Sequence, residues 1–168
     1  GQLSDEELKQ FRAFDIVGDI AIVKLPKELL SKKHLIGQAL MQVHRNVRTV
    51  LNQVGAVSGE FRTRELEVIA GEPRTETTHH EGGCVFKVNL AGVYFSPRLA
   101  HERLRIASLV KQGAIVTNLF AGVGCYSILI AKHSQATRIY SIDKNPTAFE
   151  YMCENIRINK VGDRVVPI

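Results

Sequence analysis

Apolar and polar positions change period several times along the chain, and each change predicts an element. Residues 14–17 and 20–25 are short apolar runs separated by Gly18-Asp19, the pattern of a β-hairpin, and Pro26 ends the second run. Between 34 and 54, apolar residues recur at 36, 40, 43, 47, 50, 51 and 54. That spacing predicts one amphipathic helix, closed by Gly55, with His44, Arg45 and Arg48 on its solvated face. Residues 66–70 read as a strand, followed by the turn Gly71-Glu72-Pro73. Residues 74–79 alternate as an edge strand with polar faces. Gly82-Gly83 then turns the chain into 84–90, where Phe86, Val88 and Leu90 alternate with Val85, Lys87 and Asn89. Pro97, after Ser96, suits the first turn of a helix running to about Val110. Residues 4–11 read as a short capped helix.

From Gln112-Gly113 onward the order is simpler. An apolar strand from Ile115 to Asn118 feeds the turn Leu119-Phe120-Ala121-Gly122-Val123-Gly124, and an amphipathic run covers 126–132. A second apolar strand, 138–142, ends in Asp143. Asn145-Pro146 caps a helix to about 160, and residues 161–163 turn into a third strand at 164–168. Strand, glycine turn, helix, strand and acid suit a nucleoside-bearing cofactor held at the carboxyl edge of a parallel sheet. Gly122 and Gly124 let the backbone approach the ligand, and Asp143, about 20 residues on, can accept from both ribose hydroxyls. The third glycine of a dinucleotide fingerprint would fall at Ser127, so no pyrophosphate cradle is implied. The competing reading is an ordinary βαβ unit whose glycines serve packing, but packing does not require an acid at the end of the second strand.

The expected fold is α/β: an α+β region over residues 1–112, then the first half of a Rossmann-like sheet over 113–168. Three strands on one side of the switch point leave an exposed edge and half a cleft, so the chain reads as cut within a domain.

The 168 residues are 45% hydrophobic and 23% charged, the balance of a folded soluble protein. A net charge of +5 permits a polyanionic partner without requiring one. No apolar run approaches the ~20 residues of a membrane span. The three cysteines form no CxxC, so neither a metal site nor a disulfide framework is indicated, and free thiols suit the cytoplasm. Cys125 follows Gly124 at a helix start, which can lower a thiol pKa. A small residue filling the first turn is the better reading.

Cations and aromatics gather before the glycine turn, in Phe61-Arg62-Thr63-Arg64 and in residues 94–105. On a helix starting at Pro97, residues 98, 102 and 105 share a face, while Leu99, Ile106 and Val110 can be buried on another. Arg98, Arg103 and Arg105 can hold phosphates while Tyr94 or Phe95 stacks on a base. By spacing alone, Glu102 reads as an i,i+3 partner of Arg98 or Arg105, and Arg62 and Arg64 as exposed cations. His79, His80 and Glu81 are neighbours, but adjacent strand residues point to opposite faces, so the histidines read as surface turn residues rather than metal ligands.

Taken as a set, these motifs resemble the class I, Rossmann-type tRNA guanine-37 N1-methyltransferases of the archaeal and eukaryotic kind. The resemblance lies in residues 59–71, in Val93-Tyr94-Phe95-Ser96-Pro97-Arg98-Leu99 with Glu102-Arg103, and in Phe120-Ala121-Gly122-Val123-Gly124. Ile142-Asp143 with Asn145-Pro146, Glu154-Asn155-Ile156 and Asn159-Lys160 extend it. The resemblance implies methyl transfer from S-adenosylmethionine to N1 of the guanine beside the tRNA anticodon. It makes Glu102 the general base and Arg62 the stabiliser of charge on O6. Tyr94, Arg98 and Arg103 would position the extruded nucleotide or the anticodon loop. Asn118, Phe120, Ala121, Gly122, Gly124, Asp143, Lys144 and Asn145 would hold the cofactor, with no metal.

Two departures stand out. Asn118 occupies a position where the family carries an acid, so the attraction to the cofactor's ammonium group is lost. The family's Asn-Pro-Pro-type motif and its small N-terminal domain are absent from these residues, so weak activity, or none, is expected of this polypeptide alone. A related wybutosine-pathway family moves the aminocarboxypropyl group instead, and some relatives methylate a wyosine precursor. A non-catalytic tRNA-binding module is the alternative outside enzymes.

Overall fold

The computed structural model describes residues 14–168, so the helix expected over 4–11 lies outside the described residues. The first sheet begins with the expected hairpin: β1 (Phe14–Val17) and β2 (Ile20–Val23) pair antiparallel with Val17 opposite Ile20. Gly18 turns it at φ +56°, and a Cβ there would lie 2.3 Å from Thr77 Oγ1 and from Thr78 O, so only glycine fits. β3 (Thr49–Gln53) runs parallel to β2, and β4 (Leu66–Gly71) antiparallel to β3, giving the order β1-β2-β3-β4. The parallel pair needs a crossover, supplied by a 3-10 turn at Lys27–Lys32 and by α1 (Lys33–Val43).

The single helix expected over 34–54 is therefore corrected. The helix stops at Val43, Gly55 follows a strand rather than closing a helix, and His44, Arg45 and Arg48 lie between α1 and β3. Val50 and Leu51 are fully buried in β3, which is flanked on both edges and covered on both faces. A strand covered on both faces carries consecutive apolar residues, and periodicity cannot separate it from a buried helix face.

Strands β5 (Glu76–Glu81) and β6 (Cys84–Asn89) form a separate hairpin with Glu81 opposite Cys84. His79 and His80 are thus strand residues, not turn residues. His79 Nδ1 accepts from Gly18 N at 3.2 Å, and its ring packs edge-on to Phe95. A 3-10 turn at Pro97–Leu99 leads into α2 (Ala100–Leu109). Leu99, Ile106 and Val110 are only half-buried, whereas Arg103 and Ala107 are the buried residues of this helix.

The last third is a parallel sheet in the order β7-β8-β9, from β7 (Ile115–Asn118), β8 (Arg138–Ser141) and β9 (Val165–Pro167). It is linked by α3 (Cys125–His133) and α4 (Pro146–Ile158). Asn145 caps α4 as expected, accepting from Thr147 N at 3.0 Å. The helix α3 is not amphipathic: residues 127–131 are all buried, because α3 packs against α2 on one side and against β6 and β8 on others. The fold class is α/β, as the sequence predicts.

Two apolar cores meet at β2. Ala21 and Val23 enter one with Leu29, Ile36 and Leu40 of the α1 layer. Ile20 and Ile22 enter the other with Phe86 of the hairpin, Ile128 of α3, Ile139 of β8 and Met152 of α4. Full burial of a valine, leucine, isoleucine, phenylalanine or methionine side chain, as for Leu29, Phe86, Ile128 and Met152, contributes roughly 1.5–3 kcal/mol. The second core runs through position 112, so the hairpin and the parallel sheet support each other directly.

Candidate active site

The glycine turn is held at several points. Gly122 and Gly124 have φ of +57° and +91°, left-handed values that other residues reach only with strain. Ala121 N donates to Ile142 O at 2.9 Å, Gly124 N to Ala121 O at 2.9 Å, and Gly122 N to Asp143 Oδ2 at 2.6 Å. The other oxygen of Asp143 accepts from Asn145 N at 2.9 Å. Both carboxylate oxygens are thereby aimed by backbone donors, and each keeps lone-pair capacity for a ligand. Asn145 also donates to Gly92 O at 3.0 Å, tying this strand end to the segment that carries Tyr94.

Asn118 points inward. Its amide donates to Ser127 Oγ at 3.1 Å, and Ser127 Oγ lies 2.7 Å from Ser141 Oγ, so the residue begins a buried polar chain behind the turn.

Opposite stands the turn that carries Arg62. Ser58 and Thr63 form an isolated bridge, and Arg62 sits at φ +53° with its guanidinium 5.6 Å from the Tyr94 ring centroid. Between the two turns lies a cavity of about 630 Å³. One wall is Leu119, Phe120, Gly122, Ile142, Asp143, Lys144 and Asn145; the other is Glu60, Phe61, Arg62 and Tyr94, with Ala148 and Ile168 completing the lining. Lys144 forms an exposed ion pair with Glu60, a contact that parts at little cost. A Cβ placed on Gly122 would meet nothing nearer than Tyr94 O at 3.9 Å, which leaves the turn open to close approach from the cavity.

The cavity brings together Arg62, Tyr94, Phe120, Gly122, Asp143, Lys144 and Asn145. Glu102, Arg98 and Arg103 are not on its lining. Glu102 makes a double hydrogen bond with Arg105, both at 2.7 Å, and the guanidinium holds its carboxyl below the ordinary value. Arg98 pairs with Asp15 at 2.8 Å.

Arg103 corrects an expectation. It is buried, bonds both oxygens of Glu81 at 2.9 and 2.7 Å, donates to Ser96 O at 2.9 Å, and packs on the rings of Phe95 and Tyr126. A guanidinium so enclosed is not available to a phosphate. Burial tends to raise the Glu81 carboxyl, but hydrogen bonds from His79 and Arg103 outweigh it and hold the group below its ordinary value. Cys125 agrees with its reading as a small residue filling the first turn: it is buried, and burial pushes its thiol up to about 12 rather than the helix start lowering it.

Sequence reasoning missed Glu60, Glu81 and the apolar lining at Ile142 and Ile168. Glu60 adjoins the Phe61-Arg62 motif, and the cluster His79-His80-Glu81 was the only pointer to Glu81. A further cavity, of about 660 Å³, lies beside Asp19, Arg74 and Thr77, where Arg74 is committed to Asp19 and Glu72. Among the described residues, no three His, Cys, Asp or Glu side chains gather as a metal site requires. Among them, too, no helix is long and apolar enough to cross a membrane.

The pattern described as the TRM5/TYW2 methyltransferase domain matches residues 77–168, more than half of the chain. The chain belongs to the TRM5/TYW2 methyltransferase family. The TYW2 N-terminal domain pattern matches residues 1–75. Trm5b of Pyrococcus abyssi, named a tRNA (guanine(37)-N(1))-methyltransferase, is 48% identical over 165 residues, covering 97% of this chain and 49% of that protein. Its crystal structure superposes with a TM-score of 0.89 at 47% identity, over 99% of this chain and 50% of the other. A complex of aTrm5 with tRNALeu gives a TM-score of 0.86 at 41% identity, over 93% and 46%. TYW2 of Methanocaldococcus jannaschii in complex with AdoMet gives 0.64 at 29% identity, over 93% and 55%. The TRM5/TYW2 chain described here spans about half the length of the curated Trm5b relatives it matches.

Proposed function

We propose that this chain holds S-adenosylmethionine in the cavity between the glycine turn and the Arg62 turn, as part of an enzyme that methylates N1 of guanosine 37 in tRNA. The observation that carries the reading is the cavity itself. It joins an aimed carboxylate, an open glycine turn and an apolar slot to a cation and an aromatic ring on the facing wall. The names of the relatives supply the substrate and the transferred group.

The residues present fit the cofactor. Asp143 keeps lone pairs for two ribose hydroxyls, the open side of Gly122 admits the ligand, and Phe120, Ile142 and Ile168 give a flat base an apolar slot. When bound, S-adenosylmethionine supplies a methyl carbon activated by its sulfonium centre. The rest of the work falls to the chain's own residues. Guanine N1 carries a proton in the neutral base, so a base must remove it. Glu102 accepts that proton, which requires release from Arg105 and an approach of the guanine to a carboxylate that lies outside the cavity lining. Arg62 donates to O6 as negative charge develops there. Tyr94 and Arg98 position the extruded nucleotide. On this reading residues 1–112 chiefly position tRNA and residues 113–168 chiefly hold the cofactor.

The test is calorimetric titration of the chain with S-adenosylmethionine, with Asp143→Ala beside it. Saturable binding that the variant loses is expected. A folded wild-type sample that binds nothing overturns the reading and moves a tRNA-binding module to first place, to be recognised by salt-dependent tRNA binding without cofactor binding.

A second reading draws on the match of residues 1–75 to the TYW2 N-terminal domain. There the aminocarboxypropyl group moves instead of the methyl group. Mass spectrometry of treated tRNA separates the two by the group gained.

A further inference from the structure

Two buried amides stand one turn apart, Asn155 in the last turns of α4 and Asn159 at its C-cap, and neither the cavity nor the proposed chemistry uses them. Asn155 is fully buried and Asn159 nearly so. Asn155 accepts from Lys87 N at 2.8 Å and donates to Lys87 O at 3.0 Å. Asn159 accepts from Val85 N at 2.9 Å and donates to Val85 O at 2.7 Å. Residues 85 and 87, two apart on β6, present their backbone groups to the same edge. Each amide makes there the donor-and-acceptor pair that a neighbouring strand would make.

The two amides differ in their third partner: Asn159 Nδ2 also donates to Asn155 O at 2.8 Å, within the same helix end, whereas Asn155 reaches the glycine turn. Asn155 Nδ2 donates to Val123 O at 3.0 Å. Val123 lies between the two left-handed glycines, and its carbonyl belongs to the peptide whose N–H is Gly124 N. That N–H donates to Ala121 O at 2.9 Å. The two ends of one peptide are therefore held from opposite sides. Glycine at 124 makes rotation of this peptide easy, since left- and right-handed φ are both open to it. Rotation would carry the Gly124 N–H away from Ala121 and alter the floor of the turn.

We infer that Asn155 is a positioning residue of the cofactor site, fixing the Val123–Gly124 peptide against the β6 hairpin so that the glycine turn keeps its ligand-ready shape. The inference rests on the reading of that turn as the cofactor cradle. Asn155 touches no ligand; it acts through the backbone of the turn.

Asn159→Ala is the internal control: it removes a comparable pair of β6 hydrogen bonds, together with the 2.8 Å bond from its amide to Asn155 O, and leaves the Val123 contact in place. Calorimetric titration with S-adenosylmethionine is expected to show Kd raised about tenfold in Asn155→Ala, equivalent to about 1.4 kcal/mol, and unchanged in Asn159→Ala. Equal weakening in both variants, or none in either, overturns the inference. Amide hydrogen exchange at Gly122 and Gly124 supplies a readout that needs no ligand: faster in Asn155→Ala than in wild type, unaltered in Asn159→Ala. If wild-type protein fails to bind the cofactor, the cofactor reading falls, and the exchange comparison still decides whether Asn155 holds the turn. If Asn155→Ala does not fold, Asn155→Ser, which keeps a shorter polar group in the same space, takes its place in both measurements.

Discussion

Helix α2 presents two arginines of opposite character, two residues apart. Arg103 faces inward and meets Glu81, with the two side chains 5% and 4% exposed. Arg105 faces outward and meets Glu102, with the two 50% and 42% exposed. The inner pair joins residues far apart in sequence, adds the Ser96 carbonyl, and is enclosed by Phe95 and Tyr126. The outer pair joins neighbours one turn apart and has water on its open side. A buried pair cannot part without leaving a charge in the core, whereas an exposed pair parts at little cost. The inner pair therefore holds the helix in place, and the outer pair can release a carboxylate from it. The general-base role proposed for Glu102 needs both conditions at once.

The largest effect expected from breaking this contrast is at Glu81. Glu81→Ala leaves Arg103 buried and unpaired, and denaturant unfolding should show a loss of about 3–5 kcal/mol. A loss near zero would mean that the inner pair anchors nothing. Replacing both partners, Glu81→Leu with Arg103→Met, should recover most of that loss, because apolar groups of similar volume carry no desolvation cost.

Arg105→Ala should leave the unfolding curve nearly unchanged and act on Glu102 instead. The Glu102 carboxyl lies below its ordinary value of 4.5 because Arg105 donates to it. Its folded pKa is depressed, so the pair's contribution is present above pH 4.5 and is lost as pH falls through the folded value. The substitution should bring the Glu102 titration up toward 4.5 in a carboxyl NMR experiment. Raising ionic strength to about 1 M, where the screening length is about 3 Å, should move the wild-type titration the same way and the variant's little. A titration indifferent to both changes would remove Arg105 as the cause.

The smallest effect concerns the thiols, which repeat the contrast of inside and outside. Cys125 is buried with its pKa pushed up to about 12, while Cys153 is only partly buried. Alkylation at neutral pH should label Cys153 first, followed by mass spectrometry of the peptides. Early labelling at Cys125 would show that the start of α3 opens.

The glycine-turn wall of the cavity was more legible in the sequence than the wall that faces it. Gly122, Gly124, Asp143 and Asn145-Pro146 lie within one strand-turn-helix-strand run, and each has a local conformational reason for its place. The β1–β2 hairpin was legible for the same reason. The region over 34–54 was not, because Val50 and Leu51 suit either a helix face or a strand buried on both sides. Only the pairing of β3 with β2 and β4 decides between them. Arg103 was misread because nothing in a basic segment tells which cation turns inward. Its partner lies 22 residues earlier in another element. Arg62 was singled out only through resemblance, and its turn was not foreseen, since a left-handed φ at a non-glycine residue leaves no mark in the sequence.

The amides of Asn155 and Asn159 have one more consequence, for solubility. A hairpin outside any larger sheet offers a bare row of donors and acceptors on which another polypeptide can polymerise. On β6 the groups of Val85 and Lys87 are already occupied by side chains from α4. The molecule thus carries its own stopper on that strand, and aggregation that begins there must first pull α4 away.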